Sequence, residues 1–335
     1  MYKAIDLFAG IGGVRLGFER AFGNDLENVY SCEWDLPARK TYQANFHDEY
    51  EIAGDITKVD EKEIPSFDIC CAGFPCVAFS LAGKRMGFQD LYKGQSRGIL
   101  FMDVVRICEH HKPKVIFCEN VKNLVDHDRG NTFKVIKEAF ETLGYKVFYK
   151  VLNSKDFGVP QNRPRIYLVC FRNDIAPEEF VFPEGSHKEV CIRDILEDAP
   201  IPSRYYLSDT YMQTLINHRA RHEAAGHGFG YVIRDLDGIS GALVCGGMGR
   251  EGNLVKDERE HSMVPTTKIK GEINKDSIRK MTPREWARLQ GFPDDYVIPV
   301  ADTQAYKQFG NSVTVSVIEA IALKIKEVLA TNDKR

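Results

Sequence analysis

Short, nearly continuous apolar runs alternate with polar or glycine clusters through the first half of the chain. The runs fall at residues 3–8, 29–34, 67–72, 115–119, 146–152 and 165–171, lengths that suit strands better than helices. Between them lie stretches of helical period, clearest at 100–109 and 132–143. Strands that are apolar throughout belong in a sheet covered on both faces. The rhythm therefore predicts an α/β fold with a doubly wound, mostly parallel sheet.

Beyond residue 185 the rhythm stops and glycine-rich pieces take over, GHGFG at 226–230 and CGGMGREGN at 245–253. A second, smaller and less regular domain is expected over 186–304. Within it, 281–292 reads as a helix, capped by Thr282, with Pro283 in its first turn and Gly291 at its end. In the last stretch, 305–335, Val313, Val317, Ile321 and Ile325 stand four apart. They form the stripe of one long helix that should return to the first domain, 1–185. There is no internal repeat.

Composition narrows the class without naming a partner. Of 335 residues, 43% are hydrophobic and 28% charged, the balance of a globular chain. No apolar run approaches the ~18 residues of a membrane span, and the start, MYKAIDLFAG, lacks the layout of a secretory leader. With nine cysteines and no C-x-x-C pair, free thiols in a reducing cytoplasm are expected, with no metal site. The net charge of −3 means that any surface for a polyanion must be local.

Candidate chemistry gathers at predicted strand ends, where open α/β sheets bind ligands. The first strand runs into Asp6-Leu7-Phe8-Ala9-Gly10-Ile11-Gly12-Gly13, a tight turn whose amides can face a ligand at a helix start. Glu33 comes 20 residues after Gly13, the placement of an acid that takes ribose hydroxyls. Arg15 stands where the dinucleotide fingerprint wants a glycine, so a nicotinamide cofactor is disfavoured. Trp34 and the pair Asp55-Ile56 add an aromatic face and a polar clamp. Cys76 closes GFPC, Glu119 sits in FCENV, and Arg163 and Arg165 occur in QNRPR at alternate positions of a strand start.

These motifs, in this order, resemble the cytosine-5 DNA methyltransferases that use S-adenosylmethionine, the bacterial restriction-modification type included. The match takes in DLFAGIGG, EWD, GDI, GFPC, ENV, QNRPR, TPREWARLQGFP and FGNSV. It passes over 186–275, where members of that family carry a variable target-recognition region. The resemblance implies a Rossmann-like methyltransferase domain and a second domain that reads DNA. It implies that Cys76 adds to carbon-6 of a cytosine while Glu119 protonates nitrogen-3, which makes carbon-5 nucleophilic. Arg163 and Arg165 would position Glu119 and the base.

For the donor, the resemblance implies Phe8, Trp34 and Ile56 against the adenine, Glu33 on the ribose and Asp55 at the adenine amino group. Asp6, Ala9, Gly10, Gly12, Gly13, Pro75 and Leu100 would line the same site, with Asn311 and Ser312 at the methionine end. The target base must leave the duplex to react. A lid is therefore expected over 77–97, with Ser80, Lys84, Arg85 and Arg97 on the DNA. Position 77 is Val where many relatives have Gln. Gln161, Arg219, Arg221, Phe229, Arg250 and Asn253 are candidate DNA contacts, arginine being suited to guanine. The cationic stretch from Arg259 to Arg288 would meet phosphates. The expected partners are duplex DNA with a short site and a cognate restriction endonuclease, the enzyme acting as a monomer. A transfer-RNA cytosine-5 methyltransferase and a catalytically silent DNA-binding relative are the alternatives.

Overall fold

The computed structural model describes residues 1–75, 100–228, 230–246, 249–259 and 272–333. In chain order the elements are β1 (Tyr2–Leu7), α1 (Gly13–Phe22), β2 (Leu26–Cys32), α2 (Leu36–Asn45), β3 (Ile69–Ala72), α3 (Leu100–His111), β4 (Val115–Val121), α4 (Asn131–Thr142), β5 (Tyr145–Asn153), β6 (Gln161–Asn162) and β7 (Pro164–Arg172). Then come α5 (Asp209–Ala224), β8 (Ile233–Arg234), β9 (Ser240–Gly241), β10 (Leu254–Lys256), β11 (Ile278–Lys280), α6 (Pro283–Leu289), α7 (Asp302–Asn311) and α8 (Val315–Asn332).

Two compact units share these elements. The first holds Met1–Asn153, Pro164–Gly185 and Val315–Arg335; the second holds Ser154–Arg163 and Ser186–Thr314. The units keep a boundary at residue 185 but differ from the expected domains at two places. Ser154–Arg163 joins the second unit because β6 pairs with β9 there, and 305–314 joins it because Thr314 bonds to Ser154 and Gln290. Only α8 goes with the first unit.

In the first unit six strands lie in the order β2-β1-β3-β4-β7-β5. The four from β2 to β4 are parallel, and β7 is antiparallel to both β4 and β5. The reversal has a simple cause: a parallel crossover needs about a dozen residues or more, and only Ser154–Arg163 separates β5 from β7. Alternate strand residues face opposite ways. Ile116 and Cys118 join a core with Phe101, Val104, Ile107, Ile136 and Phe140 of α3 and α4. Phe117, on the other face, meets Phe18 of α1 edge-on at 5.2 Å. Helices thus cover both faces, and Val115 to Cys118 are fully buried. The thiols of Cys108, Cys118 and Cys170 lie in this core and that of Cys71 is buried elsewhere in the sheet, and burial pushes their pKa values up. They pack as small apolar groups.

In the second unit β10 pairs antiparallel with β11 and parallel with β8, over a small core of Leu207, Met212, Leu215, Leu254 and Ile278. The helix expected over 281–292 is the shorter α6. Its Thr282 cap forms a reciprocal capping box with Glu285.

Two consequences can be measured. A Cβ on Gly17 of α1 would lie 2.5 Å from Cβ of Ile318 in α8. Replacing glycine with alanine in a helix ordinarily gains ~1 kcal/mol. Here overpacking should outweigh that gain, so Gly17→Ala is expected to lose about 1–3 kcal/mol in urea unfolding. A variant more stable than wild type would show that the two helices have room to part.

Asp6, at the end of β1, is buried, and its Oδ2 has no hydrogen-bond partner among the described residues. Burial raises its pKa from 3.8 to about 8. A folded-state value above the unfolded one stabilises the fold fully below 3.8, and this benefit is lost as the pH climbs to about 8. Asp6→Asn should therefore gain melting temperature relative to wild type between ~pH 5 and ~pH 8. A difference that stays flat across that range would contradict the buried, protonated state.

Candidate active site

The turn after β1 is built for close approach of a ligand. Phe8, Gly10 and Gly12 all adopt left-handed backbone conformations, with φ of 58°, 55° and 79°. That strain in the non-glycine Phe8 is the kind that persists where surrounding structure enforces it. The helix α1 then starts on buried Gly13, with no side chain capping its first amides. Arg15 explains its own departure from the dinucleotide pattern. Its guanidinium bonds both carboxylate oxygens of Asp48 at 2.6 and 2.8 Å and the Tyr42 hydroxyl at 2.9 Å, fixing α1 both to α2 and to the segment just past its end.

Glu33 lies just beyond β2 and faces this turn. Its two oxygens accept the amides of Gly10 and Asp35, each at 2.7 Å, which leaves a lone pair on each oxygen for a pair of hydroxyls. Burial pushes the carboxyl's pKa up, and the two amides pull it back. Trp34, beside it, is 70% exposed, a costly state for an indole that a flat ligand would relieve. Ile56 is buried. Asp55 caps the short turn Ile56–Lys58, its Oδ1 accepting the amide of Thr57 at 3.1 Å. Ala9 is buried in the turn, Leu100 begins α3 half-buried, and Pro75 is exposed. The oriented acid, the bare indole and the unpartnered Asp6 oxygen fit a nucleoside-bearing donor.

At the far end of β4, Glu119 is a cross-strand diagonal neighbour of Arg165, since Glu119 pairs with Tyr167 and Val121 with Arg165. Arg165 Nε stands 3.3 Å from Glu119 Oε1, both side chains being mostly buried. Sequence reasoning read Asn120 only as part of a motif. The structure gives it a task, because its Nδ2 donates to the carbonyl of Phe74 at 2.8 Å. That bond ties the end of β4 to the segment two residues before Cys76. Cys76 itself, the lid expected over 77–97 with Ser80, Lys84, Arg85 and Arg97, and Phe229 lie outside the described residues.

Arg163 differs from expectation. Strand β7 begins at Pro164, so Arg163 falls outside it and the alternation argument fails. Its guanidinium instead donates to the carbonyls of Leu243 at 2.6 Å, Gly310 at 3.2 Å and Ser312 at 2.6 Å. Asn311 is exposed at the end of α7, and Ser312 caps that end.

Two expected DNA contacts are buried. Gln161 is 0% exposed, with its amide committed to Leu243, Leu289 and Gln290. Asn253 is 2% exposed and cross-links Arg234 to Gly241. Within the cationic stretch, Lys268 and Lys270 lie outside the described residues, and several of the described cations are spent internally. Arg279 pairs with Asp257 and Glu285, Arg259 with Asp257, and Arg288 with Asp294. Arg284 donates to the carbonyls of Pro293 and Tyr296. Arg219 and Arg221 remain on the exposed face of α5, Arg219 beside Glu223 at 2.7 Å, and Arg250 lies over the Tyr306 ring at 5.6 Å. Among the described residues no group of three His, Cys, Asp or Glu side chains is placed to hold a metal ion, and no helix is long and apolar enough to cross a membrane.

Comparison with known proteins adds independent information. Residues 2–327 match the family described as C-5 cytosine-specific DNA methylase. The chain is 54% identical, over 98% of its length and 90% of the relative, to the Type II methyltransferase M.HpaII of Haemophilus parainfluenzae. It is 41% identical, over 96% and 94%, to M.HhaI of Haemophilus parahaemolyticus, another Type II methyltransferase. The solved structure of the Entamoeba histolytica methyltransferase EhMeth shares the fold, with a TM-score of 0.74 and 21% identity over 100% of this chain and 99% of that one. Such a family implies a methyl donor of the S-adenosylmethionine type. With the site's oriented acids and the match running almost end to end, the chain belongs to the C-5 cytosine-specific DNA methylases and is a DNA (cytosine-5)-methyltransferase.

Proposed function

We propose that the enzyme methylates carbon-5 of a cytosine swung out of duplex DNA, through a covalent adduct at Cys76, in one short sequence context. The observation that carries this reading is the Glu119–Arg165 pair, joined through Asn120 to the chain just ahead of Cys76. An acid held at the rim of a dry sheet, within one bond of the nucleophile's own segment, is the arrangement that two-point activation of a pyrimidine needs.

Cytosine's carbon-5 is too weakly nucleophilic to take a methyl group unaided. Cys76 Sγ, as thiolate, adds to carbon-6 while Glu119 delivers a proton to nitrogen-3, and the ring's electrons move onto carbon-5. Arg165 holds the Glu119 carboxyl in line with the base edge. When bound, the S-adenosylmethionine-type donor supplies an electrophilic methyl on sulfur. Once carbon-5 has taken the methyl group, a base removes the carbon-5 proton, Sγ leaves as thiolate and nitrogen-3 returns its proton to Glu119, which restores the aromatic ring and frees Cys76. Glu33 takes the donor's ribose hydroxyls, Trp34 and Phe8 cover its adenine with Ile56 beneath, and Asp55 accepts from the adenine amino group. The amides from Ala9 to Gly13 face the donor at the start of α1, and Asn311 and Ser312 meet its methionine end.

The names of the curated relatives support a restriction-modification role. On this reading the enzyme works in the cytoplasm as a monomer and protects DNA from a nuclease that cuts the same site. Among the described residues, Arg219, Arg221 and Arg250 are the sequence-expected base readers that the second unit does not bury.

The reading is tested by expressing the protein with a plasmid and mapping 5-methylcytosine at base resolution. Wild type should mark one short context. Cys76→Ser should mark nothing while still shifting the plasmid fragment in a gel, and Glu119→Gln should slow transfer on the order of 10²–10⁴-fold. Methyl transfer undiminished in Cys76→Ser would remove the nucleophile from the scheme.

A further inference from the structure

The second unit contains a buried polar cluster that neither the nucleophile nor the acid uses. Gln161 is central to it. Its Oε1 accepts the amide of Leu243 at 2.9 Å, and its Nε2 donates to the carbonyl of Leu289 at 2.8 Å and to Gln290 Oε1 at 3.2 Å. Gln290, equally buried, donates through Nε2 to the carbonyls of Phe309 at 2.9 Å and Ser312 at 3.3 Å. The Thr314 hydroxyl donates to Gln290 Oε1 at 2.8 Å and meets the Ser154 hydroxyl at 2.8 Å.

Arg163 completes the cluster. It holds the Leu243 carbonyl with one nitrogen and the carbonyls of Gly310 and Ser312 with the other. Both main-chain polar groups of Leu243 are therefore held by side chains that also hold, directly or through Gln290, the turn 310–312. The two segments touch without side chains between them as well. A Cβ on Gly310 would lie 2.7 Å from the Cys245 amide nitrogen and 2.8 Å from the Val244 carbonyl carbon.

We propose that Arg163, Gln161 and Gln290 are positioning residues that weld the turn 310–312 to Leu243–Cys245, so that donor binding and sequence reading adjust together. The inference rests on the reading given above, that Asn311 and Ser312 meet the donor and that Arg250 reads DNA. Its physics is that of shared partners. Leu243 cannot shift without loosening side chains that also fix Ser312, and leaving any of these buried groups unpaired is costly. A displacement of one segment is passed to the other, and coupling of this kind is reciprocal by linkage.

The test uses the full-length protein, S-adenosylhomocysteine as the donor lacking its methyl group, and unmethylated plasmid DNA. In Gly310→Ala, calorimetric binding of S-adenosylhomocysteine should weaken roughly tenfold, and base-resolution mapping should show methylation spreading to contexts that wild type ignores. Gln161→Met, which removes the bond to the Leu243 amide with little change in volume, should move both properties the same way and serves if Gly310→Ala does not fold. In each variant the strengthening of S-adenosylhomocysteine binding by plasmid DNA should shrink, which a merely less stable protein, measured below its melting transition, would not show. Loss of donor affinity with the context unchanged, or a relaxed context with donor affinity unchanged, overturns the coupling. The exposed Asn311 separates the two layers of argument. If Asn311→Ala and Ser312→Ala both leave S-adenosylhomocysteine binding intact, the donor reading of that turn fails and the coupling with it. If they weaken binding while Gly310→Ala and Gln161→Met move one property only, the coupling alone fails.

Discussion

A strand with no exposed residue from Val115 to Cys118 ends in an acid and an amide, and the rest of the catalytic end is set by finding partners for them. A carboxylate at the rim of a dry sheet needs a cation or a donor. Arg165 on the neighbouring β7 supplies it. That pairing in turn depends on β7 running antiparallel, because the register that puts Arg165 opposite Val121 brings it diagonal to Glu119 on the same face. Asn120 faces the other way, as strand geometry requires, and is free to bond the carbonyl of Phe74. One strand therefore holds a buried carboxylate against Arg165 with one residue and ties the chain at Phe74 with the next.

The sheet was legible because its central strands β3, β4 and β7 are buried on both faces and so read as apolar runs with no alternation to misplace. The turn after β1 was legible for a related reason: clustered glycines mark a strand-to-helix turn that needs left-handed backbone. Direction was harder. Nothing in residues 165–171 says that β7 runs backwards; the information lies in the shortness of the link before it. The misplacement of Arg163 has the same root, since the alternation of Arg163 and Arg165 was read one residue beyond the start of the strand.

The second unit was least legible, and the reason is physical. Beside its buried apolar residues, Trp286, Leu289 and Phe309 among them, part of its order comes from hydrogen bonds and ion pairs among residues that composition would assign to solvent or to DNA. Arg279 is fully buried between Asp257 and Glu285, and its charge, with that of Arg259, holds the Asp257 carboxyl well below the usual carboxylate range. Breaking one member of such a group leaves an unpaired buried charge, a loss of about 3–5 kcal/mol. A cation in this region thus has two competing uses, and sequence does not distinguish them.

That competition bears on how specificity is built. A base reader has to be held in place yet keep donors free for the DNA, and in the second unit the glycine-rich segments let main chains meet closely enough to do the holding. Asn253 illustrates the division of labour: expected to read bases, it bridges Gly241 and Arg234 and so shapes the loop from within. An exposed pair such as Arg219 with Glu223 contributes little to stability, so on the proposed reading the arginine exchanges its partner for DNA at small cost. Residues whose internal bonds are weak are therefore better placed to exchange them for DNA than those, like Arg279, whose bonds carry the fold.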